Sequence, residues 1–440
     1  MIASWINYIS DTLWAGFLPL LILLGVYINY RMLTVREIIS SSDETPWQLK
    51  KINSALSISL SSKTGTGAII GVLTAMWLGS QEGSGGEGIV LWIMIGMLVM
   101  VPITYSEVLF TQVTKLNPRQ FIAKYLNSTA ATAYALGLVA LYAFGFVGFQ
   151  FSGVQTVVRL FSEQFFDYQF STLSALLGIV IPILILVGLV IFTKSHQIFV
   201  NALSSMIFSL IVAYIAFFCV FVFNTSDFLV SYIKIIYSDF IQFRSAGLGL
   251  PLGLIFGFQR IIQISETSLG TAALSSSERL NSPRREAAVQ SLATVISIFI
   301  AVVITSYIFC YGTTHYSDIK LVSNGFLRIK GFILTTYYVT GVPGAAVVLT
   351  FFIVSGFTTI LGSFHYVNTS LNLSLNGRIA TYLLLITASG CLSVANFGVI
   401  FDASNLLMFM VGAINLLAIS RYLKTSNFLN QNYFQGHYYE

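Results

Sequence analysis

Four ionisable residues sit where the surrounding sequence is apolar: Lys63, Glu107, Arg260 and Glu266. Intramembrane charges are costly and mark internal pairs, ion pathways or gates. Charge pairing or gating is the chemistry expected of these four. Glu107 and Glu266 are also the candidates to carry a proton. The purely structural alternative is a salt bridge, Arg260–Glu266 or Lys63 with a glutamate. Arg260 and Glu266 are six residues apart, off the i,i+4 spacing that puts two side chains on one helix face. Hydroxyls cluster beside the charges, at Ser61, Thr64, Thr66, Ser265, Thr267, Ser355, Thr358 and Thr359. Hard alkali cations take oxygen ligands, and hydroxyls with freed carbonyls supply them without excess charge. For the threonines the alternative is donation to the carbonyl one turn back.

The elements that must position these groups are membrane helices. The chain of 440 residues is 56% hydrophobic and only 9% charged, with mean hydropathy +0.81. A soluble domain carries about a quarter charged residues. Apolar runs of about 20 residues separated by short polar pieces indicate an all-α, multi-spanning membrane protein. Eleven spans are expected, near 11–30, 53–79, 88–113, 128–153, 172–193, 197–223, 247–273, 287–312, 335–366, 378–399 and 403–420. The first is not followed by an A-x-A cleavage pattern and reads as a retained span. The pieces at 224–246 and 313–334 are longer than turns and are expected to hold short surface helices or a lid.

The basic residues set an orientation. With the N-terminus outside and the C-terminus in the cytoplasm, fourteen Lys and Arg fall inside and six outside. The aromatic, polar tail 421–440 is then cytoplasmic. Three cysteines (Cys219, Cys310, Cys391) and four scattered histidines (His196, His315, His365, His437) give neither a disulfide framework nor a metal cluster. No nucleophile–base pair or carboxylate dyad points to an enzyme, nothing points to nucleic acid, and no organic cofactor is implied. The partners expected are lipids and a small transported solute. The run Gly83 to Gly88, GSGGEG, fits a dinucleotide fingerprint in letters only, since it joins two apolar runs rather than a strand and a helix.

Two spans look interrupted. SSKTGTGAIIGV, Ser61 to Val72, holds Gly65, Gly67 and Gly71, each weakening a helix by roughly 1 kcal/mol relative to Ala. Close helix packing through small residues is one reading. A discontinuous helix is the other, its freed carbonyls holding a cation and its freed amides a carboxylate. GFQRIIQISETSLGTAALSSSE, Gly257 to Glu278, is the second interruption. Set aside the first span and the breaks fall in the first and sixth of ten. That is a 5+5 arrangement, 53–223 and 247–420, with two inverted halves and a midplane site.

KTGTGAIIGVLTA resembles the R-V/I-G-T-G-N-I-A-G-V-A-T-A motif of the alanine/glycine:cation (sodium:alanine) symporter family. RIIQISETSLGTAA is similar to its R-G-V-F-S-N-E-A-G-L-G-S-A, and GFTTILG to its F-S-T-I-I-G. The three segments agree in order and spacing across most of the chain. The resemblance implies a single transporter domain, 1–440, of the leucine-transporter-like fold. Residues 11–30 would be an extra N-terminal helix. It also implies sodium-coupled uptake of a small amino acid by alternating access, in a bacterial inner membrane. The sodium shell would come from Ser61, Thr64, Ser355, Thr358 and Thr359. The substrate would contact Thr66, Gly67, Ala68, Gln263, Ser265 and Thr267. Ala68 stands where the family has Asn, and Gln263-Ile264-Ser265 where it has Phe-Ser-Asn. These departures open a more polar substrate, proton coupling, or a non-transporting sensor as alternatives.

Overall fold

A computed structural model describes residues 2–35, 51–52, 55–56, 59–60, 63–81, 86–192, 196–242, 245–246, 250–276 and 282–429. Within these, nine helices are long and apolar enough to cross a membrane, and two shorter apolar ones join them. The long ones are α1 (Ile2–Val35), α3 (Ile89–Thr114), α5 (Ser128–Ala140 running on through Leu141–Phe146 and Val147–Phe166), α6 (Thr172–Phe192), α7 (His196–Asn224), α11 (Pro283–His315), α12 (Gly325–Ser370), α13 (Leu375–Ala395) and α14 (Phe397–Leu429). The short ones are α2 (Thr66–Gln81) and α9 (Leu252–Ser265). Three small helices complete the chain, α4 (Pro118–Tyr125), α8 (Phe228–Phe240) and α10 (Thr271–Ser275), with a two-residue antiparallel pairing, Ser245–Ala246 with Leu250–Pro251. The expected eleven crossing segments are therefore present, in an all-helical multi-pass membrane protein. Leu98, Phe223 and Leu384 are exposed; on such a protein large apolar side chains of this kind face lipid.

The two short helices are short because each is half of a broken span. Lys63 ends a helical stretch whose earlier residues are described only in part; Thr64 and Gly65 bend, and α2 starts at Thr66. The Thr64 amide still donates to the Leu60 carbonyl at 2.9 Å, closing the first half. The second break is longer. α9 stops at Ser265, and Glu266, Ser268 and Gly270 take left-handed φ of 54°, 68° and 77° before α10 resumes. Left-handed backbone is unfavourable for residues other than glycine and persists only where its surroundings hold it. They do here: Tyr134 donates its hydroxyl to the Leu269 carbonyl at 2.7 Å, and Asn415 donates its amide to the Ser268 carbonyl at 2.9 Å. Freed backbone at membrane depth is tolerated only when protein satisfies it in this way.

The expected span 335–366 begins too early. α12 runs from Gly325, 46 residues, which at 1.5 Å per residue is roughly twice the thickness of a bilayer core. It bends at Gly341, where φ 67° and ψ −160° interrupt the helix. Residues 325–340 thus form a separate helical arm over part of the stretch 313–334, and the crossing part starts after Gly341. A Cβ at 341 would have space, its nearest neighbour Pro343 Cδ at 3.8 Å, so backbone strain alone opposes a side chain. Gly341→Ala is expected to cost about 1–3 kcal/mol, read as a lower Tm of the detergent-purified protein. An unchanged Tm would contradict this.

Three segments wind with π geometry: Leu141–Phe146, Leu176–Val180 and Phe299–Ile304. The first lies inside α5 and rotates everything after it, so that Phe146, Phe149 and Gln150 face the start of α2. α2 also packs on α9 and α12. The extra helix α1 lies along α14, where Trp14 donates its indole N–H to the Asn405 carbonyl at 3.1 Å.

Candidate functional site

The two breaks meet at one small cavity, lined by Lys63, Gly65, Gly67, Ala68, Phe146, Phe149, Gln150, Gln263, Glu266 and Thr359. Its volume of about 20 Å³ holds water or an ion but no amino acid. Seven of these ten residues lie in the three segments the sequence singles out.

Gln150 of α5 seats α2. Its side-chain oxygen accepts from the Thr66 hydroxyl at 2.9 Å and the Gly67 amide at 3.4 Å. These are a donor and an amide that the break leaves without helical partners. From the other side Gln263 donates to the Gly67 carbonyl at 3.4 Å. Gly67 is thus held at both its N–H and its C=O by side chains of two other helices. Glycine is required for that approach: a Cβ at 65 would lie 2.7 Å from the Gln150 amide atoms and 2.8 Å from Thr359 Oγ1.

The hydroxyls expected at the cation are on one side of this cavity. Ser355, Thr358 and Thr359 are spaced i, i+3, i+4 on α12 and share a face. Thr359 reaches the cavity beside Gly65. Thr358 Oγ1 donates to the Ser355 carbonyl at 3.0 Å and Thr64 Oγ1 to the Leu60 carbonyl at 2.7 Å. A hydroxyl that has given its proton to a helix carbonyl still offers its lone pairs. The buried Ser355 Oγ has no hydrogen-bond partner among the described residues. Ser61 lies outside the described residues.

Two expected substrate contacts are elsewhere. Ser265 donates back to the Ile261 carbonyl and accepts from the Thr267 amide at 3.2 Å, so it shapes the break. Thr267 turns to α3, its hydroxyl 2.6 Å from that of Thr104. The left-handed backbone aims these side chains away from the cavity that helical phasing would have given them.

The charges also sort differently from the salt bridges considered. Arg260 meets no carboxylate among the described residues. Its guanidinium donates to the side-chain oxygens of Gln263 and Asn405 and stacks on Phe401, 4.7 Å from the ring centre. Lys63 Nζ donates to Thr294 Oγ1 of α11 at 2.8 Å, with Glu266 and Glu107 near enough to interact electrostatically. Glu107 lies away from the cavity, its Oε1 accepting from Asn415 Nδ2 at 2.6 Å. Asn415 also holds the Ser268 carbonyl, so Glu107 is wired to the second break through one amide.

Gln150, Thr294, Asn405 and Asn415 were not singled out from sequence. Their signal was available, since each is a polar side chain inside an apolar run.

Comparisons with known proteins agree with this architecture. A solved structure of a Na⁺-coupled sialic acid symporter, substrate-bound and outward-open, superposes with TM-score 0.54 at 13% identity, covering 93% of this chain and 86% of that one. The Bacillus subtilis (strain 168) probable sodium/glutamine symporter GlnT is 23% identical over 447 residues, 93% of this chain and 86% of its own. The amino-acid carrier protein AlsT of the same strain is 23% identical over 443 residues, 95% and 89% respectively. These relatives are transporters, so the chain is read as a carrier rather than an enzyme. Residues 1–438 match the sodium:alanine symporter family, and the chain belongs to that family.

Proposed function

We propose that this protein is a sodium-coupled symporter of a small amino acid, with the cavity at the two helix breaks as the shared site of ion and substrate. The observation that carries this is Gly67. Its amide and carbonyl, at the start of a half-helix, are gripped by Gln150 and Gln263 beside the Thr358–Thr359 hydroxyl face. A helix N-terminus with free amides suits a carboxylate, and the adjacent hydroxyls and carbonyls suit Na⁺. In this reading Na⁺ sits between Gly65 and Thr359, with Thr64, Thr358 and Ser355 completing the shell. The substrate carboxylate takes the place of the Gln150 oxygen at Thr66 and Gly67, and Ala68 leaves room beside it.

Transport proceeds by alternating access between two inverted five-helix halves, 53–223 and 247–420, in a bacterial cytoplasmic membrane. The N-terminus is outside and the C-terminus inside. Ion and substrate share residues, so each raises the other's affinity by the same factor.

The test is uptake of a panel of radiolabelled amino acids into liposomes holding the purified protein, with and without an inward Na⁺ gradient. Uptake of at least one amino acid that requires Na⁺ is expected. No uptake of any of them, from protein shown to be folded, would refute the proposal.

A further inference from the structure

Gln263 is fixed in one orientation, and that orientation has a consequence for the ligand. Arg260 and Gln263 are three apart on α9 and share a face. A guanidinium only donates hydrogen bonds, so the Gln263 amide turns its oxygen to Arg260 and its nitrogen the other way. Arg260 cannot drift: it is 1% exposed, anchored to the Asn405 side chain and stacked on Phe401. Asn405 is in turn held at its carbonyl by Trp14. Gly71 makes the space, because a Cβ there would lie 2.6 Å from Gln263 Oε1.

The amide nitrogen carries two N–H groups. One is engaged by the Gly67 carbonyl, at a long 3.4 Å, and Gln263 lines the cavity. Across from it the Gln150 oxygen is occupied by Thr66 and Gly67. The wall at Gln263 therefore presents a donor, and an apolar group pressed against it would leave that donor buried and unpaired.

We infer that Gln263 is a specificity-determining residue that donates to an oxygen on the substrate's side chain, so that hydroxyl- or carbonyl-bearing amino acids are preferred over their apolar isosteres. This rests on the cavity being the amino-acid site. Phe146 and Phe149 form the apolar part of the wall, and Arg260 acts only through Gln263, as a positioning residue.

The experiment compares Na⁺-driven uptake within shape-matched pairs in liposomes: serine against 2-aminobutyrate, threonine against valine, asparagine against leucine. The wild type is expected to favour the oxygen-bearing member of at least one pair by about 10-fold, the worth of one buried hydrogen bond. Gln263→Leu and Gln263→Met are expected to bring that ratio close to one. Reading a ratio cancels any general loss of turnover. A wild type that transports both members of every pair equally overturns the inference while leaving the symporter reading intact. So does a preference that survives both variants. A wild type with no Na⁺-dependent uptake of any amino acid overturns the symporter reading itself, and this inference with it.

Discussion

Gly67→Ala is expected to lower Na⁺-driven uptake by roughly 30-fold, the equivalent of about 2 kcal/mol of overpacking. The added Cβ would lie 2.8 Å from Phe149 Cβ and 3.0 Å from Gln150 Nε2. The amide end of Gln150 can swing aside, but Phe149 Cβ is at the root of its side chain and moves only with α5. The Phe149 ring is also packed edge-on to Phe397, 5.1 Å between centres. So α2 must withdraw from α5, and the Thr66 and Gly67 bonds to Gln150 lengthen or break. Those bonds set where the broken helix restarts, hence where its free amides point. The control is Gly362→Ala on α12, one turn beyond Thr358 and Thr359. A Cβ there meets nothing within 4 Å, and uptake should match wild type. Equal activity in both variants, at equal membrane abundance, would show that the close seating of α2 on α5 is unimportant for transport.

Both helix breaks were legible in the sequence because their causes are local. Gly65 and Gly67 remove helix propensity, and the hydroxyls around them can cap what the break frees. The same applies to Glu266–Gly270, where polar residues and a glycine interrupt an apolar run. What local sequence could not supply is direction. Ser265 and Thr267 are in the right segment, yet left-handed residues at 266 and 268 turn them from the cavity. A helical wheel carries no information about a residue beyond the last regular turn. Gln150 was missed for a related reason. Its facing depends on the π segment Leu141–Phe146, which has no sequence signature and shifts the phase of all that follows. Asn405 is 145 residues from Arg260, and only the folded chain brings them together. The long arm 325–340 was hidden because Gly341 is one glycine in an otherwise helical run; its φ of 67° is a property of the fold.

The double variant Thr358→Ala, Thr359→Ala is expected to raise the Na⁺ concentration for half-maximal uptake by about 10- to 100-fold. Each lost oxygen contact to a charged ligand is worth about 1.5–3 kcal/mol, and part is recovered by water. Thr358 and Thr359 have side chains buried on the face shared with Ser355, so little else depends on their hydroxyls. Thr358 bonds only within its own turn, to the Ser355 carbonyl, and losing such a bond leaves a helix carbonyl that its backbone partner still satisfies. Stability is therefore expected to change little while ion affinity falls. The double serine variant keeps both oxygens and should keep Na⁺ affinity within a few-fold. Two readouts separate the cases: the Na⁺ dependence of uptake, and the rise in Tm on replacing choline chloride with NaCl. Binding to the folded state raises stability with ligand concentration, so the alanine pair should lose the Na⁺-specific Tm shift even if transport is too slow to measure. A shift equal to wild type, with the same half-saturation, would place the cation away from α12. The charged residues at the cavity, Lys63 and Glu266, would then be the next groups to test, because they are the remaining ionisable side chains that line it.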